Sequence, residues 1–338
     1  MQVYPNVFQL KIPIPDNPLG FINAYLVKSD QGSLLIDTGW NTDEAYESLQ
    51  RQINAAGSSL ADLRYIVITH IHPDHFGLAG RLKGLCQAEL ILHSADSMLV
   101  DRRYLDFREV LAQMDHWLMI NGVPDEVRNP MSGASLPVRS LVTLTPPDRV
   151  VDGGEHLQIG GFDLELIWTP GHSPGHVCLY DRAHRLFFSG DHVLPDTTPN
   201  VSMHIQTMSN PLVDYLNSLA QVVELEVDWV LPSHGAAFSD LAARVAAIRE
   251  HHEVRLNAMR AAFAGPPAER GGGGRPQTAY GIAAAVPWTK ENTAFDNLDA
   301  LQKRFAVTET IAHLELLVAR GDLKKILQNG LVWYSRTA

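Results

Sequence analysis

Apolar runs broken by turn residues fill the first quarter of the chain. FINAYLVKS and SLLIDTG are β-rich stretches on either side of the turn signal DQGS, and together they predict a hairpin. In TDEAYESLQRQINAAG the period changes: apolar positions recur at helical spacing between a capping Thr42 and a terminal Gly57. RYIVITH returns to a continuous apolar run, the mark of a buried strand, while GLAGRLKGL predicts a short helix and AELILH the next strand. Strand and helix alternating in this way predict a layered α/β domain.

From about residue 95 to 135 the pattern turns helical, with few turn signals before Gly122 and Pro124, and predicts an inserted helical pair. HLQIGGFDLELIWTP, HVCLYD, RLFFSGD and DWVLPSHG then supply a second set of strands. A long helix over 239–263 follows and stops at Gly265-Pro266-Pro267. The consecutive glycines of GPPAERGGGGRP carry no side chains to pack, which predicts a linker over 265–275. Beyond it, TAYGIAAAV and VTETIAHLELLVARG read as helices and LKKILQNGLVWYS as two strands about an Asn-Gly turn. Helices followed by a ribbon predict a small winged-helix-like domain over 276–338, after a main domain over 1–264.

Composition narrows the function classes. A net charge of −11 disfavours a dedicated nucleic-acid binder, because phosphate contacts need clustered Lys and Arg. The two cysteines, Cys86 and Cys178, sit far apart in apolar surroundings and read as buried thiols of a reducing compartment. MQVYPNVFQLKIPIPDNP lacks the basic-then-apolar order of an export signal, and no apolar run is long enough to cross a bilayer. A cytoplasmic protein with no membrane partner is expected.

The polar residues that end these strands carry the chemistry. His70, His72, Asp74 and His75 follow YIVIT; His172 lies in TPGHSPGH, Asp191 in FFSGDH and His234 in LPSHG. Placed at strand ends, all seven can converge on one sheet edge, where α/β folds build their sites. Imidazoles and carboxylates without thiolates suit zinc or a similar divalent ion. Seven donors exceed one tetrahedral ion and suffice for two ions sharing a bridging carboxylate and a bridging water.

Preceded by LLIDTG, the ordered set THIHPDH, PGHSPGH, SGDH and LPSHG resembles the metallo-β-lactamase fold superfamily over roughly residues 1 to 260. The resemblance implies an αββα sandwich in which His70, His72 and His172 hold one metal, Asp74, His75 and His234 the other, and Asp191 bridges them. Asp37 would orient the ligands, and His176 and His192 would pack beside them. A closer similarity is to the glyoxalase II-like and lactamase-beta-like endoribonuclease branch, through the NAYLV strand, the PN of TTPNVSMH and the C-terminal extension. The longer helical insertion, the glycine linker and the acidic charge depart from that branch. Asn23 and Tyr25 in NAYLV, His204 in NVSMH, and Trp117 in the apolar stripe with Leu111, Met114 and Leu118 are candidate substrate contacts. Asn23, Tyr25 and Trp117 also have a plainer reading as turn or core residues, and His204 as a surface or helix-face residue. His93 reads as a strand-end residue, and His116, His251 and His252 as surface or helix-face residues.

The expected activity is that of a dinuclear metal-dependent hydrolase using two Zn²⁺, with Mn²⁺ or Fe²⁺ as alternatives. A metal-bridging hydroxide would attack a carboxylic ester, thioester or lactone. Asp191 would fix the metal spacing, and the group containing Asp74 would stabilise the departing anion. The expected partner is a small molecule with an apolar acyl portion. An RNA-cleaving phosphodiesterase is the alternative, disfavoured by charge, and a regulatory winged-helix module with a closed structural metal site is a third class. The basic residues of the C-terminal domain are offset by acids, so an architectural or homodimerising role is expected there.

Overall fold

Strands β1 (Gln2–Tyr4) and β2 (Val7–Pro13) lead into β3 (Phe21–Ser29), which pairs antiparallel with β4 (Gly32–Ile36) as the hairpin signal predicts. Helix α1 (Asp43–Ala55) is capped by Thr42, whose side chain accepts the Ala45 N–H. Parallel strands β5 (Leu63–Val67), β6 (Glu89–His93) and β7 (Arg149–Val151) complete a seven-stranded sheet in sequence order. Between β5 and β6 the chain makes two short helices, α2 (Pro73–Phe76) and α3 (Ala79–Lys83), where one was expected. Among the described residues the insertion likewise holds three helices, not two: α4 (Ser94–Tyr104), α5 (Phe107–Ile120) and α6 (Asp125–Gly133). The extra one starts directly on β6, because the His93 side chain accepts the Ala95 N–H and caps it.

The second sheet contains β8 (His156–Ile159), β9 (Phe162–Trp168), β10 (Val177–Asp181), β11 (Leu186–Gly190) and β12 (Trp229–Pro232), in the order β12-β11-β10-β9-β8. Helix α7 (Pro211–Val222) connects β11 to β12. After α8 (Leu241–Ala262) come α9 (Ala279–Ala285), α10 (Ala300–Ala319) and the antiparallel hairpin β13 (Leu323–Gln328) and β14 (Leu331–Arg336). Asn329 and Gly330 both take positive φ, the backbone that a two-residue Asn-Gly hairpin turn requires. The computed structural model describes all residues except 16, 18, 106, 135–138, 204–208, 264–275, 290–291 and 338. The linker expected over 265–275 and His204 therefore lie outside the described residues. Among those described, no helix is long and apolar enough to cross a membrane.

The chain divides into two units. The first, Met1–Leu105, Pro137–Pro199 and Asn217–Val245, contains both large sheets. Val27, Leu34, Ile36, Val67 and Ile91 of the first sheet pack against Leu164, Leu166, Leu179, Phe188 and Leu231 of the second. The opposite face of the first sheet, with Leu26, Leu35, Ile66 and Leu90, packs on Leu49 and Ile53 of α1 and on Phe76 and Leu82. Strands covered on both faces read as continuous apolar runs, which is why β5 and β6 lack alternation. Each such fully buried Leu or Ile contributes roughly 1.5–3 kcal/mol. These two cores fix the strand ends, and the polar residues that follow the strands inherit that rigidity.

The second unit comprises Asp106–Leu136, Asn200–Leu216 and Ala246–Ala338. Its central helix, α10, begins with a capping box of Asp299 and Gln302 and buries Val307, Ile311, Leu314 and Leu317.

Candidate metal centre

Asp37 directly follows β4 with a left-handed backbone (φ 61°), a conformation that Asp tolerates better than most non-glycine residues. Its fully buried carboxylate accepts the Thr69 N–H (2.8 Å), the Thr69 hydroxyl (2.9 Å), the Ser233 hydroxyl (3.2 Å) and the His75 Nδ1–H (2.8 Å). The residues following β4, β5 and β12 are thereby tied to one anion.

This anion decides which imidazole nitrogens are free to bind a cation. The Thr69 hydroxyl donates to Asp37 and so accepts from His70 Nδ1 at 3.1 Å. His75 Nδ1 is committed to Asp37, and His234 Nδ1 donates to the Phe21 carbonyl at 3.3 Å. With Nδ1 engaged, the Nε2 atoms of His70, His75 and His234 are the ring nitrogens turned toward the cluster. His70 Nε2 lies 2.9 Å from His72 Nδ1, which lies 3.0 Å from His172 Nε2. Asp191 Oδ2 is 3.6 Å from Nε2 of both His75 and His172, while its Oδ1 is 3.6 Å from His234 Nε2. Asp74 Oδ2 approaches His234 Nε2 to 3.2 Å and His75 Nε2 to 3.7 Å.

Three overlapping groups result: His70–His72–His172, His70–His75–Asp191 and Asp74–His75–His234, with all ligand atoms of a group within 4.8 Å of one another. Donors at about 2.0–2.1 Å around a tetrahedral ion stand roughly 3.3 Å apart, so these separations fit. Three further atoms point the same way. His75 Nε2, His234 Nε2 and Asp191 Oδ1 are buried without a hydrogen-bond partner, a costly state for a polar atom unless a cation meets it. The His and Asp groups can hold metal ions.

The electrostatics suit ligands. Burial and the neighbouring imidazoles hold His70 well below the ordinary histidine range, in its neutral form. Burial opposes charge on Asp191 and Asp74, yet His234 and His75 outweigh it and keep both carboxyls below their usual range. On His75 burial is outweighed in turn by Asp37, Asp74 and Asp191, which raise it, so these carboxylates favour positive charge at its Nε2, a proton or a metal cation in its place.

His176 stands beside the ligands without joining them. Its Nε2 accepts the Asp191 N–H at 3.1 Å and its Nδ1 meets the Thr169 hydroxyl at 2.8 Å, so it fixes the backbone of Asp191. Gly190 makes this approach feasible: a Cβ there would lie 2.6 Å from His176 Nε2. His192 is fully buried, pushed down to about 3 by burial. Cys178 is a buried thiol, raised by burial and donating to the Ser189 carbonyl.

All seven residues expected as ligands come together. The candidate substrate contacts fare differently. Asn23 and Tyr25 are fully buried, and their donors serve the His234 loop: Asn23 Nδ2 reaches the Pro232 and Gly235 carbonyls and the Tyr25 hydroxyl reaches the Pro232 carbonyl. Trp117 is half-buried on α5 in the second unit. Sequence reasoning missed Thr69 and Ser233, whose only signal is adjacency to His70 and His234. It also missed Asp96, which has no motif at all.

The chain is similar to known proteins over most of its length. Residues 17–234 match the Metallo-beta-lactamase superfamily, and residues 293–337 match the Metallo-beta-lactamase-like, C-terminal domain. The probable metallo-hydrolase YqjP of Bacillus subtilis (strain 168) is 26% identical over 338 residues, covering 97% of each chain. The acyl-coenzyme A thioesterase MBLAC2 of Gallus gallus is 28% identical over 219 residues, 63% of this chain and 72% of that protein. The crystal structure of a beta-lactamase domain protein from Burkholderia ambifaria is similar with a TM-score of 0.82 and 30% identity, over 100% of this chain and 94% of that one. With the superfamily pattern spanning well over half its length and a set of metal-capable donors at its strand ends, the protein is a metallo-hydrolase and belongs to the metallo-β-lactamase superfamily.

Proposed function

We propose that the protein is a dinuclear acyl hydrolase acting on a small-molecule thioester or ester. In this reading His70, His72 and His172 hold one ion, Asp74, His75 and His234 the other, and Asp191 is shared. The observation that carries it is the placement of Asp191, whose two oxygens face His75 and His172 on one side and His234 on the other. Nitrogen and oxygen donors without thiolate favour zinc, with manganese or iron as alternatives. When bound, such ions supply a nucleophilic water at neutral pH and Lewis acidity toward the acyl oxygen.

The chain's own work is positioning. Asp37 and Thr69 orient His70 and His75, His176 holds the Asp191 backbone, and Asn23 and Tyr25 hold the His234 loop. Every proposed ligand precedes residue 235, so we assign the chemistry to the segment 1–264. The thioesterase named among the relatives supports an acyl substrate, and the net charge of −11 weighs against RNA.

The test pairs metal analysis of the purified protein with a panel of acyl thioesters of graded chain length, aryl esters, lactones and short RNAs. Close to two divalent ions per chain and turnover of thioesters or esters are expected. RNA cleavage that falls steeply with added salt, with no acyl substrate turned over, would replace this reading with that of a phosphodiesterase.

A further inference from the structure

Helix α4 carries no proposed ligand, yet it grips the peptide between two of them. Asp96, in its first turn, is completely buried. Its Oδ2 accepts the Ile71 N–H at 3.0 Å, its Oδ1 accepts the Gly175 N–H at 2.8 Å, and the Ser173 hydroxyl lies 2.6 and 2.7 Å from the two oxygens. Just over two turns along the same helix, the buried Tyr104 donates its hydroxyl to the Ile71 carbonyl at 2.6 Å.

Ile71 stands between His70 and His72, and Ser173 follows His172. Both backbone polar groups of Ile71 and the loop after His172 are therefore anchored to one helix, which β6 and the His93 cap hold in turn. The approach is close: a Cβ on Gly175 would lie 2.5 Å from the Asp96 nitrogen. A carboxylate in the first turn of a helix is also favoured by the helix dipole. The labour is divided. Asp37 orders Thr69, His75 and Ser233, whereas Asp96 and Tyr104 order the two loops that present His70, His72 and His172.

We propose that Asp96 and Tyr104 are positioning residues for the His70–His72–His172 group and set its affinity for its ion without touching it. The inference rests on the ligand assignment proposed above. Zinc binding to the metal-stripped full-length chain, followed by competition with a chromophoric chelator, tests it in the wild type and in His72→Ala, Asp96→Asn and Tyr104→Phe. Thermal denaturation of each metal-free form runs alongside. The wild type is expected to bind two ions and His72→Ala to lose one. Asp96→Asn and Tyr104→Phe should each weaken one of the two ions, by about 10- to 100-fold, and leave the other unchanged. Tyr104→Phe deletes a single hydroxyl, so it decides the matter even where Asp96→Asn does not fold. A residue with a merely structural role would lower the metal-free melting temperature and leave both affinities intact. That result, or equal weakening of both ions, overturns the proposal. Retention of both ions by His72→Ala overturns the ligand assignment, and the inference with it. Loss of one ion by His72→Ala, with wild-type affinities in the other two variants, overturns the inference alone.

Discussion

His70, His72, His75, His172 and His234 meet at the strand ends of the first unit, whereas His252 and His313 meet on α8 and α10 of the second, and all but His72 are buried. In the second unit a proton on one ring meets a lone pair on the other, and among the described residues His252 Nε2 is buried with no partner and no carboxylate facing it. His313 Nδ1 donates to the Glu309 carbonyl at 2.8 Å, so its Nε2 accepts from His252 Nδ1 at 3.1 Å. The Glu309 carboxyl is engaged elsewhere, by Asn200 at 3.1 Å and Arg255 at 3.5 Å. In the first unit the Nδ1 protons of His70 and His75 point outward to Thr69 and Asp37, the Nε2 atoms point inward, and Asp74 and Asp191 join them. Burial of histidine is common to both clusters. What separates them is the convergence of several Nε2 atoms on one point and the presence of facing carboxylates, and the metal-capable groups among the described residues exclude the second pair.

The sharpest way to break this comparison is to remove the shared carboxylate. Asp191→Ala should lower metal content below two ions per chain and abolish turnover together, as read by metal analysis and acyl-substrate assays. Full activity in a metal-poor Asp191→Ala preparation would end the reading of the first cluster. A milder change acts through Thr69. Thr69→Val keeps the volume but removes the hydroxyl that links Asp37 to His70, and it should weaken zinc binding by roughly 10-fold in chelator competition.

The second cluster should answer differently. His313→Leu leaves the His252 Nδ1–H without its acceptor and should cost about 1–3 kcal/mol of stability in urea unfolding. Metal content and turnover should stay at wild-type values. Loss of metal in this variant would mean that the two clusters are not distinct in kind.

How much of this was legible beforehand follows from the same contrast. The ligands of the first unit could be read because each follows an apolar run, and a strand end is a local property of sequence. Asp37 was expected only through the resemblance of LLIDTG to the superfamily pattern. The Thr42 cap and the Asn329-Gly330 turn were visible because their chemistry is confined to a few residues. Asp96 was not, since its partners Ile71 and Ser173 come from two other loops and nothing around it repeats. His252, expected on a surface or a helix face, is 1% exposed, because its partner lies 61 positions away on another helix. Asn23 and Tyr25 were legible as residues near the site, but the direction of their donors was not, because that depends on where the backbone of Pro232 runs. Helix counts in the insertion failed for a physical reason as well: the cap that starts α4 is a histidine, outside the usual capping residues.

The last effect concerns protons. Burial pushes His313 down to about 3 and His252 well below the ordinary histidine range, so the folded pair stays neutral where the unfolded chain would take up protons. Stability contributed by the neutral pair is complete above about pH 6.5 and is lost as pH falls from there toward 3. Each such histidine adds a slope of up to about 1.4 kcal/mol per pH unit within that window. Leucine at position 313 does not titrate, so the variant lacks one histidine's share of the slope. The penalty of His313→Leu, measured by urea unfolding of both proteins in the presence of a chelator, should therefore shrink between about pH 6 and pH 4. Protonation of the metal ligands affects both proteins alike and cancels in the difference. A penalty that stays constant over this range would mean that the His313 imidazole is already charged in the folded state, and the alternation of donors and acceptors that distinguishes the second cluster from the first would not hold.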